Sequence, residues 1–232
     1  MKTCAVIIPA YRAEKWIMEC VKGFQNQHSL EGWEYKIVVG VDGCKKTAKA
    51  LTVPYWWSAV NVGTYIMVNS LVALNPADMY VFFGADDVPF PDYLRKTIPV
   101  AEEYGYTRVR ERRCDENLKP FPPQERNLMG TAVCTREVFE QVGGFHAYRC
   151  ASDTDFTRRV KALGYKPKEA KLLLPDPLFY RRRHKNSLTR HPKTSMKSEY
   201  RVKVKTAMNE LYDKGLIKIT PTTTDLEYYG TH

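Results

Sequence analysis

Three strand-sized apolar runs, each followed by polar residues, constrain the fold of this chain more than any other feature. The runs are residues 4–9, residues 37–41 within a predicted strand over 35–41, and residues 79–83. Uninterrupted apolar runs of this length are typical of strands that are buried on both faces. Two helical patterns lie between them, one in which Trp16, Cys20 and Phe24 recur every four residues and one over residues 64–74. The alternation predicts an α/β fold with a mostly parallel central sheet flanked by helices.

The second half of the chain has longer and more polar connections. Helices are predicted over residues 92–103, 136–142, 152–164 and 193–214. Strands are predicted over residues 128–135, 172–174 and 178–182, and a loop over residues 117–127. Ser152 is the predicted N-cap of its helix, because a serine hydroxyl there accepts a hydrogen bond from a first-turn N–H group.

Size and composition exclude several classes of protein. A chain of 232 residues with 44% hydrophobic residues suits one large domain. Its longest apolar runs are far shorter than the roughly 20 residues of a membrane-spanning helix. The N-terminus has no secretory signal pattern, so we expect a cytoplasmic protein. The six cysteines lack zinc-site and CxxC spacing, which predicts free thiols.

The positive charge is concentrated in one segment. Residues 158–205 carry sixteen Lys and Arg against three acids, so this segment exceeds the net charge of +10 of the whole chain. A basic field of this kind attracts phosphate groups on a nucleotide, a nucleic acid or an anionic membrane. Beyond residue 192, a solvated surface explains the lysines equally well.

Polar residues follow the predicted strands at the points where ligands bind in open α/β sheets. Asp86 and Asp87 come directly after the third apolar run, and Asp42 follows the second. Adjacent carboxylates suit Mg²⁺ or Mn²⁺, which would neutralise a departing diphosphate. A turn or helix-capping pair is the alternative interpretation of the two aspartates.

Two further groups have the chemistry that transfer to a hydroxyl group requires. Asp153 and Asp155 lie at a predicted helix N-terminus, where a carboxylate stays ionised and serves as a general base, although a simple helix-capping acid fits too. His184 lies in a basic loop and is a candidate metal ligand or diphosphate contact, unless it is incidental. The residues of this loop that would neutralise phosphate charge are Arg182, Lys185 and Arg190.

Taken together, these residues resemble the inverting, GT-A-fold glycosyltransferases of the family-two type, which use nucleotide sugars. The similar segments are residues 6–27, 84–92 and 130–164. The resemblance implies a Rossmann-like GT-A domain over residues 1–192, followed by a basic helical extension over residues 193–232. Within that domain, the donor-binding half is residues 1–92 and the acceptor-side half is residues 93–192. Two departures are Gly84, where the family often has an acid, and Ser152, where a glutamate commonly precedes the base.

The resemblance also implies a role for each matching residue. The residues that would hold the nucleoside are Pro9, Tyr11, Glu14 and Asp42. Tyr11 would stack on a pyrimidine, which makes a UDP-sugar the expected donor. Asp86 would contact the ribose or the sugar, Asp87 would ligate Mn²⁺ or Mg²⁺, and His184 would bind the metal or the diphosphate. Asp153 would be the base.

Three functions remain open from the sequence. The first is a metal-dependent inverting transfer from a UDP-sugar to a hydroxymethylated base in DNA, a virus-type DNA modification suggested by the basic segment. The second is the same transfer to a surface polysaccharide or a lipid-linked glycan, with the basic helix lying on anionic lipid. The third is a non-catalytic nucleic-acid-binding protein on the same fold.

Overall fold

The computed structural model describes residues 1–122, 129–165, 174–185 and 187–230. In these ranges the helices are α1 Ile17–Gln25, α2 Lys45–Lys49, α3 Thr64–Leu74, α4 Tyr93–Tyr104, α5 Arg136–Val142, α6 Ser152–Ala162 and α7 Glu199–Asp213. The strands are β1 Lys2–Ala10, β2 Trp33–Asp42, β3 Tyr55–Ser58, β4 Met79–Phe82, β5 Val88–Pro89, β6 Tyr106–Cys114, β7 Met129–Thr135, β8 Phe179–Arg182 and β9 Glu227–Tyr229.

The strands form one sheet in the order β5-β8-β6-β7-β4-β1-β2-β3-β9. Its core is the four neighbouring strands β4, β1, β2 and β3, which are all parallel. Antiparallel strands β7 and β9 pair with the two sides of this parallel core. The predicted α/β fold with a parallel core is therefore confirmed, and the carboxyl ends of its strands lie along one edge of the sheet.

Strand β1 shows why the apolar runs are uninterrupted. Alternate residues point to opposite faces of a strand, so Val6 and Ile8 enter the core under helices α1 and α4. Ile7 enters a second core under helices α3, α5 and α6. All three side chains are fully buried, and each burial contributes about 1.5–3 kcal/mol. Helices on both faces of the sheet thus require apolar residues on both faces of the buried stretches of its central strands.

Strand β6 was not predicted, because its sequence is rich in charged residues. Its one acid is paired rather than solvated. The side chain of Glu111 is fully buried and accepts hydrogen bonds from Arg113 Nε at 2.8 Å and from Arg181 Nη1 at 2.7 Å. These charge-assisted hydrogen bonds compensate the cost of removing the carboxylate from water.

The C-terminal part differs from the predicted helical extension. The helix predicted over residues 193–214 is shorter and begins after Ser198, whose hydroxyl accepts a hydrogen bond from Arg201 N at 3.3 Å. It ends just before Gly215, which adopts a left-handed φ of 76°. The chain then continues without helix to strand β9, which pairs with β3. Residues 172 and 173 of the predicted strand over 172–174, and residues 123–127 of the predicted loop over 117–127, lie outside the described residues.

Residues 216–226, which we call the C-terminal strap, cross the helices on one face of the sheet. The strap donates from Ile219 N to Val142 O at 3.1 Å. It accepts from Asn69 Nδ2 at Thr222 O, 3.2 Å away, and Thr224 N donates to Ser70 Oγ at 2.8 Å. The C-terminal residues are therefore part of the packed fold.

The helices and the cysteines agree with the composition. None of the described helices combines the length and the apolar character that crossing a membrane requires. All six cysteines are free, as expected.

Substituting Gly143 tests the packing of the C-terminal strap. A Cβ atom at Gly143 would lie 1.7 Å from Ile219 O, whereas at Gly164 it would meet nothing within 4 Å. Both glycines have positive φ, so alanine costs about 1–2 kcal/mol of backbone strain at either site. We expect Gly143→Ala to cost about 1–3 kcal/mol more than Gly164→Ala in urea unfolding, because the strap is displaced. Equal losses of stability in the two variants would contradict the packing described.

Candidate active site

A cavity of about 940 Å³ opens at the carboxyl ends of the parallel strands. Seven of the residues singled out in the sequence line it: Pro9, Tyr11, Asp42, Asp86, Asp87, Asp153 and His184. They come from strand ends, from loops and from helix α6, and the fold brings them into one space. Tyr11 lies at the surface and is 46% exposed.

Four other predicted residues are not among those that line the cavity as the described residues outline it. These residues are Glu14, Arg182, Lys185 and Arg190. Glu14 accepts a hydrogen bond from Thr47 Oγ1 at 3.3 Å, and Lys185 and Arg190 are exposed. The side chain of Arg182 is buried and donates to Glu19 Oε2 at 2.5 Å. Arg182 reaches the acidic pair through its backbone N–H, which donates to Asp87 Oδ1 at 3.0 Å.

Arg181 is the cavity-lining arginine of this strand, and the sequence analysis did not select it. Successive residues of strand β8 point to opposite sides, so only one of Arg181 and Arg182 is able to face the cavity. Arg181 Nη1 donates a hydrogen bond to the buried carboxylate of Glu111, at 2.7 Å, which fixes the guanidinium. Strand alternation predicts that Arg181 and Arg182 face opposite sides of the sheet. The sequence of three consecutive arginines does not reveal which of them faces the cavity. The other cavity-lining cations that were missed are Arg12, Arg108, Arg149 and Lys193.

The Asp42 carboxylate organises the loop that precedes helix α3. Its Oδ1 accepts from Val62 N at 2.7 Å, and its Oδ2 accepts from Gly63 N at 2.9 Å and from Asn61 Nδ2 at 3.0 Å. Burial raises the pKa of Asp42, and the hydrogen bonds from the two backbone amides oppose that rise. Asp42 therefore fixes the wall of the cavity on this side.

Asp86 and Asp87 form an acidic pair at the floor of the cavity. Asp86 Oδ2 lies 2.8 Å from His184 Nε2, and the imidazole ring packs against Trp16 with centroids 4.2 Å apart. Asp87 is only 7% exposed. Burial, and then repulsion from the Asp86 carboxylate, raise the pKa of Asp87 well above its usual value, while Arg181 opposes the rise.

The acidic pair fits a divalent cation that is shared with a ligand. In the part of the chain that the structure describes, no group of three or more His, Cys, Asp or Glu side chains is placed to hold a metal. Mg²⁺ and similar ions need only one or two carboxylates when phosphate oxygens complete their coordination. Burial, and then the Asp86 carboxylate, raise the pKa of Asp87, so a cation beside it would stabilise its ionised form. The buried Nδ1 of His184 has no hydrogen-bond partner among the described residues. Asp87 and His184 are thus suited to hold an ion together with a diphosphate.

Helix α6 presents one of its two N-terminal acids to the cavity. Asp153 lines the cavity, whereas Asp155 is buried and binds Arg159 Nε at 2.8 Å. The N-cap is Ala151, with a left-handed φ of 69°, and not the predicted Ser152. Ser152 is the first helical residue, and its buried hydroxyl has no partner among the described residues. The left-handed residue turns the chain sharply into the helix, which displaces the cap by one position.

Comparisons with known proteins agree with this architecture. The sequence matches the family model described as Glycosyl transferase family 2 over residues 5–156. A search of curated proteins gave no match. Similar solved structures include S. aureus TarS 1-349 in complex with UDP, with a TM-score of 0.56 and 16% identity over 80% of this chain and 61% of that chain. The complex of the same protein with UDP-GlcNAc gives a TM-score of 0.57 and 16% identity over 81% and 60%.

A mannosyltransferase provides a further comparison. PcManGT from Pyrobaculum calidifontis, in complex with GDP-Man and Mn²⁺, has a TM-score of 0.56 and 18% identity over 70% of this chain and 52% of that chain. The present chain thus spans less than two thirds of the length of each of these structures. The likeness shows a shared fold, and it confirms the GT-A architecture expected from the sequence.

Metal and pH should act on stability through Asp87. Because folding raises its pKa, the folded state holds this proton above about pH 4, where the unfolded carboxyl has lost it. Without metal, the free energy of unfolding should therefore fall as pH rises from about 4 towards neutrality, by up to about 1.4 kcal/mol per pH unit. Mn²⁺ should offset the loss, because it replaces the proton as the countercharge.

Urea unfolding between pH 4.5 and 7.5, in EDTA and in Mn²⁺, measures this effect. Asp87→Asn should flatten the pH dependence seen in EDTA and remove most of the Mn²⁺ stabilisation at neutral pH. Asp176→Asn, at an exposed position outside the cavity lining, serves as the matched control and should leave both unchanged. If the free energy of unfolding depended on pH identically in wild type and Asp87→Asn, the raised pKa of Asp87 would be contradicted.

Proposed function

Because this chain belongs to glycosyl transferase family 2, we propose that it transfers a sugar from a nucleoside-diphosphate sugar to an acceptor hydroxyl with inversion. One observation carries the proposal: Asp42, Asp86, Asp87 and Asp153 line a single cavity at the carboxyl ends of the parallel strands. That edge of an open α/β sheet is where ligands bind. The non-catalytic alternative has no comparable support, since these acids share one site with His184.

The donor occupies the part of the cavity between Tyr11 and the acidic pair in this proposal. A UDP-sugar is the favoured donor, because the exposed ring of Tyr11 is available to stack on a pyrimidine. Pro9 and Asp42 line the same side, and Asp42 holds the loop against which the nucleoside would lie. Asp86 is assigned to the ribose or the sugar. The similar structures bind UDP-GlcNAc in one case and GDP-Man in another, so these two donors are the first to test.

Departure of the diphosphate requires positive charge near Asp87. A bound Mn²⁺ or Mg²⁺ would supply Lewis-acid stabilisation of the leaving group. The residues that would hold the ion are Asp87 and His184. Arg181 is available to bind a phosphate oxygen, because Glu111 engages only one nitrogen of its guanidinium among the described contacts.

Asp153 is the proposed base. In a direct displacement, its carboxylate takes the proton of the acceptor hydroxyl as the acceptor oxygen bonds to the anomeric carbon. The bond from that carbon to the diphosphate oxygen breaks in the same step, on the opposite side of the sugar, which inverts the configuration. Asp153 is exposed to the cavity, unlike Asp155, and this favours it for the role.

Asp153→Asn provides the direct test of this chemistry. With Mn²⁺, and with water taking the place of the acceptor hydroxyl, wild-type protein should release UDP from UDP-GlcNAc or a related UDP-sugar. Mn²⁺ and UDP together should raise its melting temperature. Asp153→Asn should retain the rise in melting temperature and lose about 10²–10⁴-fold in turnover, because an amide cannot accept the proton. A variant with undiminished turnover would rule out Asp153 as the base, and absence of both stabilisation and turnover with UDP-sugars and GDP-Man would contradict the function.

We further propose that the acceptor is DNA carrying a hydroxymethylated base. Lys193 lines the cavity, and further exposed cations lie on the same segment: Arg183, Lys185 and Arg190. However, several cations of the basic segment have structural partners within the fold. Arg159 is buried against Asp155, and Arg201 donates to Thr194 O at 2.9 Å, so the external field is smaller than the count of charges indicates. A polysaccharide or lipid-linked glycan is the alternative acceptor.

Binding to duplex DNA at several salt concentrations distinguishes these acceptors. If DNA is the acceptor, affinity should fall at least about tenfold between 50 and 200 mM salt. Replacing the exposed residues Arg183, Lys185 and Arg190 together by glutamine should weaken DNA binding. The matched control is a triple glutamine variant of helix α2 at Lys45, Lys46 and Lys49. Absence of DNA binding at low salt would exclude DNA, and binding to anionic vesicles instead would favour the lipid-linked glycan.

A further inference from the structure

Two contacts join the donor side of the cavity to its acceptor side. The guanidinium of Arg149 contacts the side-chain oxygen of Asn61 through Nη1 and donates to Asn61 O through Nη2 at 2.9 Å. The hydroxyl of Tyr65 donates to Asp153 Oδ1 at 3.1 Å. Asn61 and Tyr65 flank the start of helix α3, whereas Arg149 and Asp153 flank the start of helix α6. The two helix starts are therefore held together directly across the cavity.

Tyr65 is the rigid member of its pair. It is 8% exposed, and its ring stacks on Phe145 with centroids 5.5 Å apart and an interplanar angle of 29°. The backbone just before it is fixed by Asp42, which accepts hydrogen bonds from Val62 N and Gly63 N. Burial, and then the charge of Asp153, raise the pKa of Tyr65 well above its usual value, so the hydroxyl keeps its proton and remains a donor.

Asp153 is the adjustable member. It is an exposed residue in the first turn of helix α6, after the left-handed Ala151. Within the described ranges, Tyr65 is the sole hydrogen-bond partner of this carboxylate. The contact engages Oδ1 and leaves Oδ2 to receive a proton from a hydroxyl group in the cavity. Without it, the carboxylate would sample several rotamers.

We propose that Tyr65 is the positioning residue for the base Asp153, and that Asp42, through the loop over 61–63, makes this placement depend on the donor side of the site. The inference rests on the proposed function. Tyr65 acts on Asp153, and no hydrogen bond or ring contact among the described residues joins it to Asp87 or His184. Its loss should therefore lower turnover and leave donor binding intact, because misplacement of a reacting group by about 1 Å costs up to 100-fold.

Tyr65→Phe tests the proposal, because phenylalanine keeps the ring stacked on Phe145 and removes only the hydroxyl. The assay is UDP release from UDP-GlcNAc with Mn²⁺, together with the melting-temperature rise produced by UDP and Mn²⁺. We expect kcat to fall about 10- to 100-fold, with the donor KM within about twofold of wild type and the melting-temperature rise unchanged. An unchanged kcat, or a loss confined to donor KM, would overturn the positioning role.

Tyr35→Phe is the matched control. It also removes one tyrosine hydroxyl, which donates to Phe24 O at 2.8 Å outside the cavity lining. This variant should lose stability comparable to Tyr65→Phe and keep its kcat. Equal kcat losses in the two variants would show that Tyr65 acts through general stability, contrary to the proposal.

A double-mutant comparison with Asp153→Ala separates this inference from the proposed function. In the Asp153→Ala background, Tyr65→Phe should change turnover less than about twofold, because no carboxylate remains to be placed. Full additivity of the two losses would overturn the inference. If wild type releases no UDP, the proposed function fails, and the pair is judged by urea unfolding of the same four proteins. If the stability losses of the two single variants do not add up in the double variant, the hydrogen bond between Tyr65 and Asp153 is supported. If they do add up, it is rejected.

Discussion

The buried carboxylate of Asp87 beside that of Asp86 is the constraint on which the site depends. The chain leaves the apolar core at the end of strand β4 and reaches this pair a few residues later. Little water screens Asp87, which is buried, from the neighbouring charge of Asp86. The fold supplies partial compensation through Arg182 N, through the approach of His184 to Asp86, and through Arg181. What remains is an acidic pair, in a cavity that arginines also line, suited to a cation shared with a diphosphate, and this links the fold to group transfer.

The neighbouring groups are placed by the same requirement, that each buried acid has hydrogen-bond or ion-pair partners. Glu111 is fully buried because it engages both Arg113 and Arg181, and it thereby aims Arg181 at the cavity. On the other side, Asp42 is buried because three N–H groups of the following loop surround it. Each buried acid thus fixes a second element, either a strand-borne cation or a loop. Loops from the donor and acceptor sides meet in defined positions as a result.

The sequence predicted the parallel core well, because strands β1, β2 and β4 must be apolar on both faces. It also selected Asp87 and Asp153 as candidate site residues, although their roles remain proposals. Strand β6 was missed, since its pairing of Glu111 with arginines from two strands is invisible before folding. The sequence-based assignment of Arg182 rather than Arg181 to the phosphate has a similar cause. Neighbouring strand residues face opposite sides, and no local pattern reveals which side is the cavity.

Locating a bound ion tests the central account most directly. A crystal structure with Mn²⁺ and a UDP-sugar, with the ion identified by its anomalous scattering, would place each group. We expect Mn²⁺ to be bonded to a carboxylate oxygen of Asp87 and to the diphosphate, with the nucleoside beside Tyr11 and Asp153 facing the anomeric carbon from the other side. A nucleotide bound outside this cavity, or a manganese ion without contact to Asp87, would contradict it.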